Sequence, residues 1–358
     1  MTGRGKYNKK ISHKISKAKT SLSLTQECMK PYHLIDISKL TSLTELSIYD
    51  CVNLNGKLDF LRGLTNLQKL ELSFCEITDD DLINLASLKN LTHLDLTQNP
   101  ISGIGFSGLL LTALEDLTIM RSSVDFVGIT SICNTCPNLK KIIYYDTCYK
   151  FDKDCLLKLC TSLKHLNQIT LCDVNIFDYT ALSTCSTLKT FSTCYTESES
   201  PCNYIGFKNI RPKHNKKYSQ TIFPFLPKLE SLHLYRELSE IVMPDIHLYS
   251  SLKDLSVSSL KHDLIGPNIT KLTNLEKLNV HCYLQNNDLN FLLNMTQLEE
   301  LDLRYNHNLD NNMLQYTTNL SNLKLLNLVG TKNILSDLEK YKHYYSSGCE
   351  FCCRRGGR

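Results

Sequence analysis

The chain has 358 residues, no tryptophan, 42% hydrophobic residues and a net charge of +4. The charge is too small and the apolar content too high for a disordered polyelectrolyte, and no stretch approaches the ~20 apolar residues of a membrane span. Sixteen cysteines would suit a disulfide scaffold in a secreted chain. The opening residues lack an apolar run of signal-peptide length, so reduced thiols and a cytoplasmic or nuclear location are expected.

Residues 1–19 carry seven Lys/Arg and no acid, which predicts a basic, disordered arm. Ser21-Leu22-Ser23-Leu24 then alternates as a short strand would. From Leu43 onward one pattern recurs twelve times: Leu43-x-x-Leu46-x-Ile48, then equivalents beginning at Leu67, Leu91, Leu114, Leu139, Leu166, Leu188, Leu229, Leu252, Leu275, Leu298 and Leu323. The intervals are 24, 24, 23, 25, 27, 22, 41, 23, 23, 23 and 25 residues. A period of this length marks units that cannot bury their apolar faces alone and must stack. The dyad closing each unit, such as Leu70-x-Leu72, has the period of two of a strand, so stacked dyads form a parallel sheet.

Between dyads the chain has to return, and several returns carry helical signals. Thr78-Asp79-Asp80-Asp81 supplies a cap and an acidic first turn ahead of Leu82, Leu85 and Leu88. Asp154 to Leu163 and Asp288 to Leu298 repeat the design. The period fails once, and an irregular insertion is assigned to 197–225, opened by Glu197-Ser198-Glu199-Ser200-Pro201 and containing Pro212 and Pro224. Adding 23 to Leu326 and Leu328 reaches Cys349 and Phe351, a degenerate last strand. The stacked array therefore runs over 20–353 and leaves a basic tail at 354–358.

Three residues beyond the dyads stand small polar or thiol residues: Cys51, Cys75, Asn99, Ser122, Thr147, Thr196, Asn306 and Thr331. There a side chain can satisfy backbone groups that have left the ladder. With the Leu-x-x-Leu-x-Leu pattern, this position resembles the Asn/Cys site of the leucine-rich repeat family, over most of the chain. Ile77-Thr78-Asp79-Asp80-Asp81-Leu82 resembles the helical entry of the cysteine-containing subtype. The resemblance implies an α/β solenoid, a horseshoe with a parallel concave sheet and short convex helices. It also implies a non-enzymatic scaffold or adaptor that binds a protein on its concave face. Members of the subtype present substrates to ubiquitin ligases through an F-box; residues 1–30 are too short and basic to supply one, so the alternative of a ubiquitin-ligase substrate receptor requires a separate bridging subunit.

No phosphate-binding glycine loop with Lys, no H-E-x-x-H and no G-x-S-x-G occurs. Neither catalytic residues nor a cofactor is expected. Cys133-x-x-Cys136 and Cys349-x-x-Cys352-Cys353 lack the second pair that a zinc site needs. Cys51, Cys75, Cys172, Cys194 and Cys282 are expected as free thiols packed on or beside strands. The sequons at Asn90, Asn268, Asn294 and Asn319 arise from the repeat pattern itself.

Contact candidates come from strand positions that project away from the core, where Tyr and Arg are the usual interface anchors. They are Tyr145 and Tyr195 in the middle of the chain, and Tyr235, Arg236, His281, Arg304 and Tyr305 in its C-terminal half. Strands favour aromatics in any case. The arm, residues 208–217 and residues 351–358 hold fifteen of the 40 Lys/Arg, leaving 25 against 36 Asp/Glu elsewhere, or −11. Basic arms on an acidic array keep a second reading open, a nucleic-acid-associated protein. A monomer is expected.

Overall fold

A computed structural model describes all residues except 1–3, 26–29, 52, 147–149, 173, 175, 177, 195–220, 236, 259–264, 266–267, 332–341, 346–348 and 353–358. The chain divides into two compact units, residues 1–176 with 184–187, and residues 177–183 with 188–358.

The first unit holds seven strands: β1 (Ser21–Thr25), β2 (Glu45–Tyr49), β3 (Lys69–Ser73), β4 (His93–Asp95), β5 (Asp116–Ser122), β6 (Lys141–Asp146) and β7 (Gln168–Cys172). Each pairs in parallel with the next, and the register places Leu22, Leu46, Leu70, Leu94, Leu117, Ile142 and Ile169 in one row. All seven are buried. The second dyad member forms a parallel buried row, in which Tyr144 takes the leucine slot. Its ring lies 4.7 Å from that of Phe151 and its hydroxyl donates to Val124 O at 2.8 Å, so the buried O–H is satisfied.

The second unit repeats the design with β8 (Thr190–Cys194), β9 (Ser231–Tyr235), β10 (Asp254–Ser258), β11 (Lys277–His281), β12 (Glu300–Asp302), β13 (Leu325–Asn327) and β14 (Glu350–Cys352). These strands also pair in parallel in chain order. At the end of the chain Phe351 stands opposite Leu326, not opposite Leu328 as the spacing predicts. The slip in register is two residues.

The returns are short helices, most of them 3₁₀, because twenty-odd residues per repeat leave little chain for a longer helix. Asp79–Ser87 and Asn286–Asn294 are 3₁₀ segments with reciprocal caps, Thr78 with Asp81 and Gln285 with Asp288. The α-helical exceptions include α2 (Pro31–Ser38), α3 (Phe126–Thr135) and α4 (Lys153–Ser162), where N-caps Asp125 and Asp152 each accept two backbone N–H bonds. Neighbouring returns approach closely at two glycines. A Cβ on Gly105 would lie 2.3 Å from Asp79 O, and one on Gly128 would lie 2.1 Å from Ser102 O.

Two expectations are corrected. The disordered arm at 1–19 contains α1 (Arg4–Lys17), whose Ile11 and Ile15 are buried where the helix packs on α2 and β1. These side chains are one turn apart and cover the first strand of an otherwise open stack. The insertion 197–225 mostly lies outside the described residues; residues 221–225 belong to no helix or strand, and Ile222 and Phe225 are half-exposed. Phe223 sits 5.9 Å and 5.5 Å from the rings of Tyr179 and Phe191, and the Tyr249 hydroxyl donates to Pro224 O at 3.0 Å. Cys172 is disulfide-bonded instead of free. Stacking repeats brings thiols of successive turns into proximity whatever the cysteine count per repeat. Cys51, Cys75 and Cys282 are free and buried; Cys194, Thr147, Thr196 and the tail 354–358 have no described surroundings.

The turn leaving each strand is held by the polar position that the sequence singles out. Asn99 donates to Leu72 O (2.6 Å), Leu96 O (3.0 Å) and Thr97 O (3.2 Å) and accepts from the amides of Cys75 (3.1 Å) and Ile77 (3.0 Å). Asn306 does the same through Val280 O, Leu303 O and the amides of Cys282 and Leu284. A second, exposed series went unread in the sequence. Asn66, Asn90, Asn138, Asn274 and Asn322, each just before the first leucine of a unit, donate to Thr41 O, Thr65 O, Thr112 O, Ser250 O and Thr296 O. The Asn90 sequon is thereby explained as a repeat-to-repeat tie.

Asn99→Ala strands two buried donors, at about 1–3 kcal/mol per orphaned group, so a loss of about 2–4 kcal/mol in denaturant stability is expected. Exchange at the Cys75 and Ile77 amides should accelerate. Asn66→Ala, which breaks a solvent-exposed bond, should cost under about 1 kcal/mol. Equal costs for the two variants would refute the assignment.

Candidate protein-binding face

Residues on either side of each dyad member point away from the core, so each unit presents one exposed sheet face. In the second unit the row between dyad members reads Ser192, His233, Ser256, Asn279, Asp302 and Asn327 in register. The next row sets Tyr235 beside Ser258 and Ser258 beside His281.

Asp302 organises the C-terminal part of this face. It is buried, and its carboxylate accepts from the Arg304 backbone amide (3.0 Å), Arg304 Nε (2.8 Å) and Asn327 Nδ2 (3.0 Å), with His281 Nε2 3.4 Å away. Burial alone would raise its pKa, but hydrogen bonding from His281 and Arg304 outweighs it and pulls the carboxyl down to about 2. Arg304 and His281 are therefore held in place by a fixed negative charge. Tyr305 follows in the left-handed region, φ 62°, with its amide donating to Val329 O at 2.8 Å. Its ring lies over Gly330, where a Cβ would come within 2.9 Å of Tyr305 Cδ1.

A second network lies on β8, β9 and β10. His233 Nε2 is 3.0 Å from Asp254 Oδ2 and 3.2 Å from Ser231 Oγ, while His233 Nδ1 is 3.3 Å from Ser192 Oγ. Nucleophile, base and carboxylate types meet here. The amides of β9, however, belong to a strand paired on both sides, so they offer no pair of convergent donors for an oxyanion. The network fixes the imidazole orientation.

Of the residues singled out from sequence, His281 and Arg304 converge on Asp302, with Tyr305 adjacent and Tyr235 in the same row as His281. Tyr145 is in the first unit, with the Arg121 guanidinium 5.4 Å from its ring centroid. Tyr195 and Arg236 lie outside the described residues. Asp302 and Tyr283 went unselected. Tyr283, 73% exposed, is the most exposed of the large apolar side chains described. The spacing of Asp302, two before Arg304 and one strand from His281, was the available signal. Along the strand entries the charges neutralise one another: Lys189 with Glu230 (2.7 Å), Lys277 with Glu300 (2.6 Å) and Lys324 with Glu299 (2.7 Å).

Burial pushes the thiols of Cys75 and Cys136 up to about 12 and that of Cys133 to about 11, which suits packed thiols and not nucleophiles. Among the described residues, no group of three or more His, Cys, Asp or Glu is placed to hold a metal ion. No described helix is long and apolar enough to cross a membrane.

Parallel strands linked by short helical returns, with asparagines bridging successive turns, define a repeat solenoid. A family model described as leucine-rich repeats (2 copies) matches residues 65–118, and the fold is that of a leucine-rich repeat solenoid. It is 31% identical over 127 residues to NACHT, LRR and PYD domains-containing protein 5 of Mus musculus, covering 34% of this chain and 9% of that protein. It is 33% identical over 118 residues to leucine-rich repeat-containing protein 14 of Bos taurus, covering 31% of this chain and 24% of that protein. The chain thus spans less than a quarter of the length of these relatives. Among solved structures, an internalin of Listeria monocytogenes aligns over 97% of this chain and 94% of its own, at 20% identity and a TM-score of 0.44. A leucine-rich repeat protein of Leptospira interrogans aligns over 96% and 97%, at 15% identity and a TM-score of 0.36.

The Asp302 carboxyl titrates below its unfolded value near 3.9, so its contribution is present above about pH 4 and is lost as pH falls toward 2. The loss should be about 2 kcal/mol. Urea unfolding at pH 5 and at pH 2.5 should show a smaller pH-dependent drop for Asp302→Asn than for the parent. An identical drop would remove Asp302 from the account.

Proposed function

We propose that the chain is a non-enzymatic scaffold that holds a protein partner against the exposed sheet face of its second unit. Tyr235, His281, Arg304 and Tyr305 are the contacts in this reading. The observation that supports it is the buried Asp302, which immobilises Arg304 and His281 before any partner arrives. Pre-ordered side chains lose less entropy on binding, and Tyr and Arg are the residue types that carry most interface energy. The partners of the similar proteins are not carried over.

The nucleic-acid reading has a weaker footing. It rests on charge alone, and the N-terminal arm on which it draws is committed through Ile11 and Ile15 to covering β1 and α2.

The test is cross-linking and mass spectrometry with the full chain in its native cell, beside Tyr235→Ala/His281→Ala and a Tyr145→Ala control. A protein lost only from the double variant, with the unfolding midpoint retained, is the expected result. Identical recovery from all three would reject this face.

A further inference from the structure

The returns of the first unit carry a feature that the sheet face does not explain. Large apolar side chains stand exposed on successive returns: Ile83 on Asp79–Ser87, Ile104 on Ile104–Phe106, Phe126 and Val127 on α3, and Leu157 on α4. Each is between 43% and 57% exposed, and these returns pack against one another in order. The glycine contacts at Gly105 and Gly128 bring the first three within backbone distance. Exposed apolar side chains therefore lie on four successive, mutually packed returns of the solenoid.

Water has little hold on this surface. Thr130, Ser131 and Thr161, the hydroxyl residues on the outer faces of α3 and α4, donate back to Phe126 O (2.8 Å), Val127 O (3.1 Å) and Leu157 O (2.7 Å). Covering them leaves no orphaned donor. Helix α3 contains no charged residue. Carboxylates stand at the starts of the returns, where Asp80, Asp152 and Asp154 are exposed and Asp125 is half-buried, against Lys153 there and the half-buried Lys158 midway along α4. The last turns of Asp79–Ser87, α3 and α4 carry no base. An apolar strip bordered on one side by carboxylates is complementary to an amphipathic helix with basic residues along one flank. The same unit already accepts such an element on its own surface, since the basic helix α1 buries Ile11 and Ile15 on α2, the first helical return.

We infer that the return face of the first unit, centred on Phe126, Val127 and Leu157, is a second docking surface, and that its occupant is a basic amphipathic helix of a partner protein. It is independent of the sheet face of the second unit, and each can fail alone.

The probe is a fluorescently labelled, helical Leu/Lys peptide of about 18 residues, long enough for a stable helix, with a Leu/Glu peptide of the same pattern as its counterpart. Anisotropy titrations use the full chain, Phe126→Ser/Leu157→Ser, and Asp80→Asn/Asp154→Asn. These are surface positions, and an unchanged unfolding midpoint confirms that each variant is folded. The Leu/Lys peptide should bind, weaken by at least about tenfold in the serine variant, and lose much of its salt dependence in the asparagine variant. Binding of both peptides alike, absence of binding, or full affinity in the serine variant would overturn the inference.

Discussion

The asparagine side chain that bridges two turns of backbone is the constraint on which the rest depends. A parallel strand only three to seven residues long leaves its ladder almost at once, and the departing amides and carbonyls turn inward where water cannot reach them. Asn99 and Asn306 answer this with one group that both donates and accepts. Each satisfies carbonyls in its own turn and the previous one, along with two amides of the previous turn. Where cysteine stands in the same slot the bond is weaker: Cys75 Sγ donates to Ile48 O at 3.4 Å and Ser73 O at 3.3 Å. A thiol fills the space and cannot accept strongly, so these turns depend more on packing.

The same turn explains a backbone feature that residue types conceal. Asp50, Phe74, Gln98, Arg121, Tyr305 and Gly330 all stand two residues beyond the second dyad member, and all have φ between 53° and 80°. Only one is glycine. A left-handed residue there redirects the chain from the strand into the return. For the non-glycine residues the conformation costs energy that burial of the adjacent dyad and the asparagine bonds offsets. At Tyr305 the same conformation carries the ring out over Gly330 and beside the Asp302 network.

The architecture was legible because its cause is periodic. One leucine in the wrong register would expose a core position, so the Leu-x-x-Leu-x-Leu spacing survives even where Tyr144 or Thr193 replaces an aliphatic residue. What could not be read were effects with no period. The Ile11 and Ile15 pair looked like part of a basic arm because a single helical turn carries too little pattern to stand out among lysines. The contacts of Phe223 and Pro224 could not be read because their partners, Tyr179, Phe191 and Tyr249, lie up to 44 residues away. The candidate site was half legible. Tyr and Arg could be chosen by type, but Asp302, which gives two of them fixed positions, reads in sequence as one more strand acid.

That carboxylate also bears on which face of a solenoid can be specific. Exposed pairs such as Lys277 with Glu300 are worth about 0–1 kcal/mol and can be exchanged for a partner's charges at little cost. The Asp302 carboxylate differs because it is buried and accepts hydrogen bonds from Arg304 and Asn327, so removing Arg304 leaves a buried charge without its cation. Arg304 is consequently available to a partner only in the orientation that Asp302 dictates. Under the proposed reading, a partner that demanded another geometry would have to break an ion pair to a buried carboxylate, a cost that discriminates between partners.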